Sequence, residues 1–254
     1  MARASGLPGA ADPVKTLKLI AEITVAFFAT QSLSAQSFQN LKFEQANPVI
    51  DQGGQFYPND VTAASALPHW TVYLGSVAQT DVLQNPDTTG QATVDIYGPD
   101  YPSTGGGFGT IDGNYSIVLQ AGNYPYSPEQ VDASIAQTGT VPITAESLQF
   151  KTLGAMIPND VVTFDGINLS PVFLGTGVSS IGVNYTLYGV DISPYSGQTG
   201  QLEFSSTVSE LGLVSFPLDD IAFSPNAVPE PNIFALSAMG GLFFGARQWF
   251  ARRG

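Results

Sequence analysis

The chain has 254 residues, of which 43% are hydrophobic and only 11% charged, with eight basic residues against 21 acidic ones and a net charge of −13. That length and apolar content suffice for one large all-β domain between terminal segments, while the acidic balance excludes nucleic acid as a partner, since that affinity rests on Lys and Arg neutralising phosphates. With no cysteine and one histidine, His69, the chain also lacks disulfides, thiol nucleophiles and Cys- or His-rich metal centres.

The first element is residues 17–35, "LKLIAEITVAFFATQSLSA", with Lys15 and Lys18 at its start and polar "QSFQN" after it. A basic flank, an apolar stretch and small residues before a polar start have the order of a secretory signal peptide, so residues 1–35 are predicted to be a signal helix cut near Ala35. Glu22 interrupts the apolar stretch. The competing reading is an N-terminal helix packed on the domain.

Residues 36–224 form the body. They hold only Lys42 and Lys151 against eighteen acids, a net charge of −16. Short β-branched and aromatic runs follow one another, "ATVDIYG", "YSIVLQAG", "SLQFKTLG", "VVTFDGINL", "NYTLYGVDI" and "QLEFSSTV", each closed by Gly, Pro, Asn or Asp. Apolar–polar alternation in such runs is the mark of strands, and their close spacing predicts one antiparallel β-sandwich. The Gly- and Pro-rich stretch at 97–113 reads as a loop at a sheet edge.

Most acids of the body sit in turn sequences such as "YPND", "GPDYP" and "IDGNY", where backbone geometry alone favours Asp and Asn. No catalytic residue is expected: a carboxylate pair is inevitable among so many acids, there is no G-x-S-x-G elbow, and His69 reads as a neighbour of Trp70. Flat aromatic rings can stack on sugar faces, which makes Tyr101, Tyr124 and Tyr126 in their loops, and then Trp70, the candidate ligand contacts. For Trp70 the core is the competing assignment.

Three stretches of the body, "FQNLKFEQA", "LPHWTVYLG" and "FPLDDIAFS", resemble the first strand, an early Trp strand and the last strand of galactose-binding-like jelly rolls, a group that includes many carbohydrate-binding modules. The resemblance implies a jelly-roll-type sandwich whose first and last strands are neighbours. It also implies a structural calcium held by Glu44 and Asp219, the alternative being that these carboxylates accept backbone N–H groups at strand ends. Period-2 alternation would put Asp219 on the face of Ile221 and Phe223.

Residues 225–254 close the chain. After "VPEP", Val228 to Pro231, comes an almost wholly apolar run from Ile233 to Ala246, and then Arg247, Arg252 and Arg253. With Trp249 and Phe250 the run approaches the shortest length that spans a bilayer, and the arginines would lie on its cytoplasmic side. Motif, apolar helix and basic cluster together closely resemble the PEP-CTERM sorting signal of Gram-negative bacteria. That resemblance implies export, a transient stay in the inner membrane and recognition by exosortase, with Val228, Pro229, Glu230 and Pro231 as the sorting motif. The chain then reads as a cell-surface or extracellular-matrix protein of structural or adhesive role, with a polysaccharide-binding module and, further off, a glycan hydrolase as rivals.

Overall fold

The computed structural model describes residues 36–54, 59–85, 90–99, 101, 103, 108–125, 127–210 and 212–229; the predicted signal helix and apolar C-terminal helix lie outside the described residues. Fifteen strands occupy most of that body: β1 (Asp60–Thr62), β2 (Thr71–Leu74), β3 (Val77–Gln79), β4 (Asp81–Gln84), β5 (Thr93–Tyr97), β6 (Ser116–Asn123), β7 (Gln130–Val131), β8 (Ala133–Thr140), β9 (Ser147–Thr152), β10 (Asp160–Phe164), β11 (Ile167–Leu169), β12 (Val172–Val178), β13 (Asn184–Asp191), β14 (Thr199–Ser206) and β15 (Val214–Ser224). One helical turn, α1 (Ala63–Ala66), follows β1. One sheet runs β1-β4-β5-β6-β15-β9-β13-β12, with β7 added beside β6, and the other runs β11-β10-β14-β8-β2-β3. All pairings are antiparallel except that of β4 with β5. The all-β sandwich expected from the sequence is the architecture seen.

Alternation decides which side chains meet between the sheets. Leu148 and Phe150 of β9, Val162 and Phe164 of β10, and Leu202 and Phe204 of β14 belong to the core, while the residues between them point away. Phe204 of the second sheet meets Phe150 edge-on at 5.4 Å and Phe216 at 6.4 Å, which joins the two sheets through aromatic contacts. β5 and β6 depart from alternation because both their faces are covered: Ile96, Ile117 and Leu119 face the core, yet Tyr97, Ser116, Val118 and Gln120 are buried too. Tyr101 and residues 108–115 contribute to the second cover, with Tyr101 against Tyr97 at 5.5 Å and the Ile111 N–H donating to Ser116 Oγ at 2.7 Å. Where it is described, the predicted edge loop therefore packs on two inner strands of the sheet.

Two further expectations are corrected. "FQNLKFEQA" is not a strand: after a single bridge from Ser37 to Thr140, the chain turns through Asn40 and Phe43, both at positive φ (50° and 60°). Asn40 tolerates that conformation through local hydrogen bonds, accepting from Gln45 N–H and donating to the Pro68 carbonyl. Phe43 is held there by burial against Trp70, 6.1 Å between rings. The segment still runs beside the last strand, since Ile221 N–H donates to the Leu41 carbonyl at 3.0 Å.

The last strand changes partner halfway. Val214–Leu218 pairs with β6 and Asp219–Ser224 with β9, and a bulge lies between Asp219 and Ala222 with Asp220 at φ 46°. Phe216 and Leu218 enter the core before the bulge and Ile221 enters after it, so the extra residue reverses the alternation. Asp219 consequently does not share the face of Ile221.

Candidate functional site

The bulge gathers the densest polar cluster of the described body. Asp219, 1% exposed, accepts from Asp112 N–H (2.9 Å), from Ser116 Oγ (2.6 Å) and from its neighbour's N–H at Asp220. Burial outweighs those bonds and pushes its pKa up to about 7, with the adjacent Asp220 charge adding to the rise. Asp220 is turned the other way by its left-handed backbone and takes Lys42 at 2.7 Å and Lys151 at 2.6 Å. Lys151, opposite Asp219 in register, also reaches Asp112 at 2.5 Å and lies 4.7 Å from the centre of the Tyr185 ring. Burial works against ionisation of Asp112, yet Lys151, Ser180 and the Gly113 N–H together hold its pKa down at about 2. Burial likewise opposes the charge on Lys151, but Asp112 and Asp220 keep its pKa above the ordinary lysine range.

Glu44 joins the cluster from the turn segment and accepts from Asn114 N–H (2.7 Å), Asn114 Nδ2 (2.9 Å) and Tyr115 N–H (3.2 Å). Gly113 is required here, because at φ 59° a Cβ would strike the Glu44 carboxylate. Glu44 and Asp219 thus line one depression of about 170 Å³, together with Lys42, Asp112, Gly113 and Asp220. Their oxygens are already engaged by protein donors, and two ammonium groups supply the positive charge at this corner. As folded, the residues do not fit the calcium that the jelly-roll resemblance implies, and no group of three or more His, Asp or Glu side chains among the described residues is arranged to hold a metal.

Among the described residues, Asp160 and Asp81 lie away from this pair of lysines. Asp160 opens β10 within "IPND", where its Oδ2 accepts the Ile157 N–H at 3.0 Å and its buried Oδ1 has no hydrogen-bond partner. Burial pushes its pKa up to about 6. Asp81, at the start of β4, is raised by burial and then by a hydrogen bond to Asp51 and the charges of Asp51 and Asp60. Asp60 and Asp81 line a cavity of about 80 Å³ whose other walls include Val72, Leu74, Val82 and Val94.

The aromatic candidates are dispersed. Trp70 is 6% exposed, sits between Phe43 and Phe204, and donates its indole N–H to the Asn40 carbonyl at 3.1 Å, so it belongs to the core. Tyr101 is 37% exposed on the covering loop, Tyr124 is half-buried against the core, and Tyr126 lies outside the described residues. A groove of about 320 Å³ without acidic or lysine side chains forms elsewhere, lined by Gln36, His69, Thr71, Gln137, Thr138 and Gln201. His69 is exposed and at φ 72°.

Of the sorting motif, Val228 and Pro229 are described; Glu230, Pro231, Arg247, Arg252 and Arg253 lie outside the described residues. β15 ends at Ser224, and the chain then crosses the outer face of the first sheet, where Ser147 Oγ donates to the Asn226 carbonyl at 2.7 Å. Val228 is half-buried and rests over Gly189 of β13. Among the described residues no helix is long and apolar enough to cross a membrane.

Sequence reasoning passed over Asp112, Lys151 and Asp220. Two signals were available for them: Lys151 is one of only two lysines in the body, and the tandem Asp219–Asp220 interrupts an apolar strand. No family model, no curated protein and no solved structure matches this chain.

Proposed function

We propose that this chain is an exported, non-enzymatic cell-surface or extracellular-matrix protein of a Gram-negative bacterium, sorted by exosortase through Val228–Pro231. In this reading the β-sandwich has a structural or adhesive role, and the export machinery and inner membrane are transient partners. The supporting observation is that the last described strand closes at Ser224 and "VPEP" begins four residues later in the sequence. Two prolines keep such a segment extended and unable to extend a sheet, which suits entry into a protease cleft. A jelly-roll arrangement belongs to the same proposal. It is supported by strand β2 directly after Trp70 and by the contacts of Leu41 and Lys42 with the last strand. Intact mass spectrometry of the protein recovered from its own cells tests the sorting. A mature form lacking everything after the "VPEP" region is expected, with full-length chain accumulating when Glu230 is changed to Ala; mature wild-type protein that still ends at Gly254 overturns the reading.

Saccharide binding is a second reading, favoured by the groove beside His69, whose amide and hydroxyl lining suits a polyhydroxylated ligand. On a glycan array it expects a signal that Gln201→Ala removes.

A further inference from the structure

We propose that Gly189, Leu174 and Ser147 form a seat that holds residues 226–228 against the sandwich and confines cleavage of the tail to bonds beyond Val228. The proposal rests on the sorting reading for the enzyme that cuts, but the seat itself stands on separate observations. A Cβ added at Gly189 would lie 2.9 Å from Val228 Cγ1 and 2.9 Å from Leu174 Cδ1, so the missing side chain is the space that Val228 occupies. The backbone at Gly189 is in an ordinary region, and glycine is therefore explained by this close approach and not by φ. The second hold is polar: Ser147 Oγ, on a fully buried residue, donates to the Asn226 carbonyl at 2.7 Å, and Asn226 N–H donates back to Ser224 Oγ at 3.1 Å. Beyond the seat, Pro229 is exposed.

Proteases act on segments that can leave the fold and extend into a cleft, so a bound segment is cut only as often as it opens. Residues 226–228 are fixed at two points, whereas the chain from Pro229 onward starts at solvent. The seat therefore works as a positioning device. It spares the linker that ends the sandwich and leaves Pro229 exposed just beyond it.

The test uses the purified full chain under limited digestion with a protease of broad specificity, read by intact mass spectrometry over time. The wild-type body is expected to end at Val228 or beyond. Val228→Ser, which leaves the sandwich untouched, and the double variant Ser147→Ala/Gly189→Val are both expected to give bodies ending within 224–227, with cleavage there at least tenfold faster. Unchanged melting curves establish that the variants remain folded. Termini and rates equal to wild type in both variants overturn the seat. Failure of the sorting reading is seen elsewhere, as a retained Gly254 in cells, and leaves the digestion result standing.

Discussion

The corner at the β15 bulge and the corner at the start of β10 both bury aspartate, but under opposite conditions. At the bulge, Asp112 and Asp220 meet Lys151, and Lys42 adds to Asp220, so both lysines of the body converge on one carboxylate. At β10, Asp160 has one backbone N–H and, among the described residues, no cation. Asp112 is accordingly held down at about 2, while Asp160 is pushed up to about 6. A domain with a charge of −16 does not distribute its scarce cations; it places both beside the bulge where the last strand changes partner. There they neutralise Asp112 and Asp220, partly buried carboxylates that burial would otherwise push toward the neutral form, while Asp219 caps the Asp112 and Asp220 N–H groups without a lysine of its own.

The largest expected effect comes from making the first corner resemble the second. Lys151→Met removes the ammonium while leaving Asp112 and Asp220 in place, and the Lys151 side chain is only 12% exposed. Breaking a largely buried pair by deleting one partner costs about 3 kcal/mol, which for a domain of this size lowers the melting temperature by about 6–12 °C. Lys42→Met is the matched comparison: its side chain is 64% exposed, and the loss should stay below about 1 kcal/mol. Equal melting shifts for the two variants would remove the distinction between a buried and a surface lysine at Asp220.

A smaller effect of opposite sign is expected at the second corner. The folded pKa of Asp160, about 6, lies above the ordinary 3.8, so the folded state binds its proton more tightly than the unfolded chain does. Its contribution to stability is full below about pH 4 and is lost as the pH rises through about 6; Asp219, raised to about 7, follows the same direction. Asp112 and Asp220 are lowered, so their contribution is present above pH 3.8 and disappears as the pH falls toward about 2. Melting temperature is therefore expected to peak between about pH 4 and 6. Asp160→Asn keeps the acceptor for Ile157 N–H and removes the charge, which should raise the melting temperature by several degrees at pH 8 and leave it unchanged at pH 4. A variant that melts lower at both values would mean that Asp160 is stabilising as a carboxylate.

How far the two corners could be foreseen differs too. The alternating runs "SLQFKTLG", "VVTFDGINL" and "QLEFSSTV" were legible as strands, and they are β9, β10 with β11, and β14, which carry Phe150, Phe164 and Phe204 into the core. "FPLDDIAFS" was legible as the last strand, and Glu44 and Asp219 do reach one depression. The bulge was not legible, because a period of two carries no mark of an inserted residue, and one residue reverses every face after it. The turn at 40–43 was missed because its apolar spacing resembles a strand, while positive φ at Asn40 and Phe43 is fixed by Trp70 and Pro68 from farther along the chain. Partners such as Asp112 and Asp219, 107 residues apart, are set by topology alone.

The corner around Asp81 offers an intermediate case. Asp81 is held above its ordinary pKa by burial first, then by its hydrogen bond to Asp51, and then by the charges of Asp51 and Asp60. Asp81→Asn is expected to stabilise by less than about 1 kcal/mol at pH 8, because the group is near water and the repulsion is screened. High salt should shrink the difference. A gain that grows with salt would show that charge repulsion is not its origin.

Divalent cations provide the smallest expected effect and the sharpest division between the corners. At the bulge, Glu44 accepts three protein donors and Asp219 three more, so an entering calcium ion would have to displace N–H and O–H groups that already satisfy those oxygens. It would also have to approach Lys42 and Lys151, or expel the more exposed Lys42 from Asp220. Each displaced bond must be replaced by coordination of equal worth, while the like charges repel. The melting midpoint is therefore expected to be the same with a chelator and with millimolar calcium. Lys42→Met is the variant most open to an ion, since it frees one Asp220 oxygen at the depression. A midpoint that rises with calcium in the wild type and loses that rise in Glu44→Gln would show that the ion outcompetes the backbone donors, and would reverse the assignment of this corner as a cap neutralised by lysine.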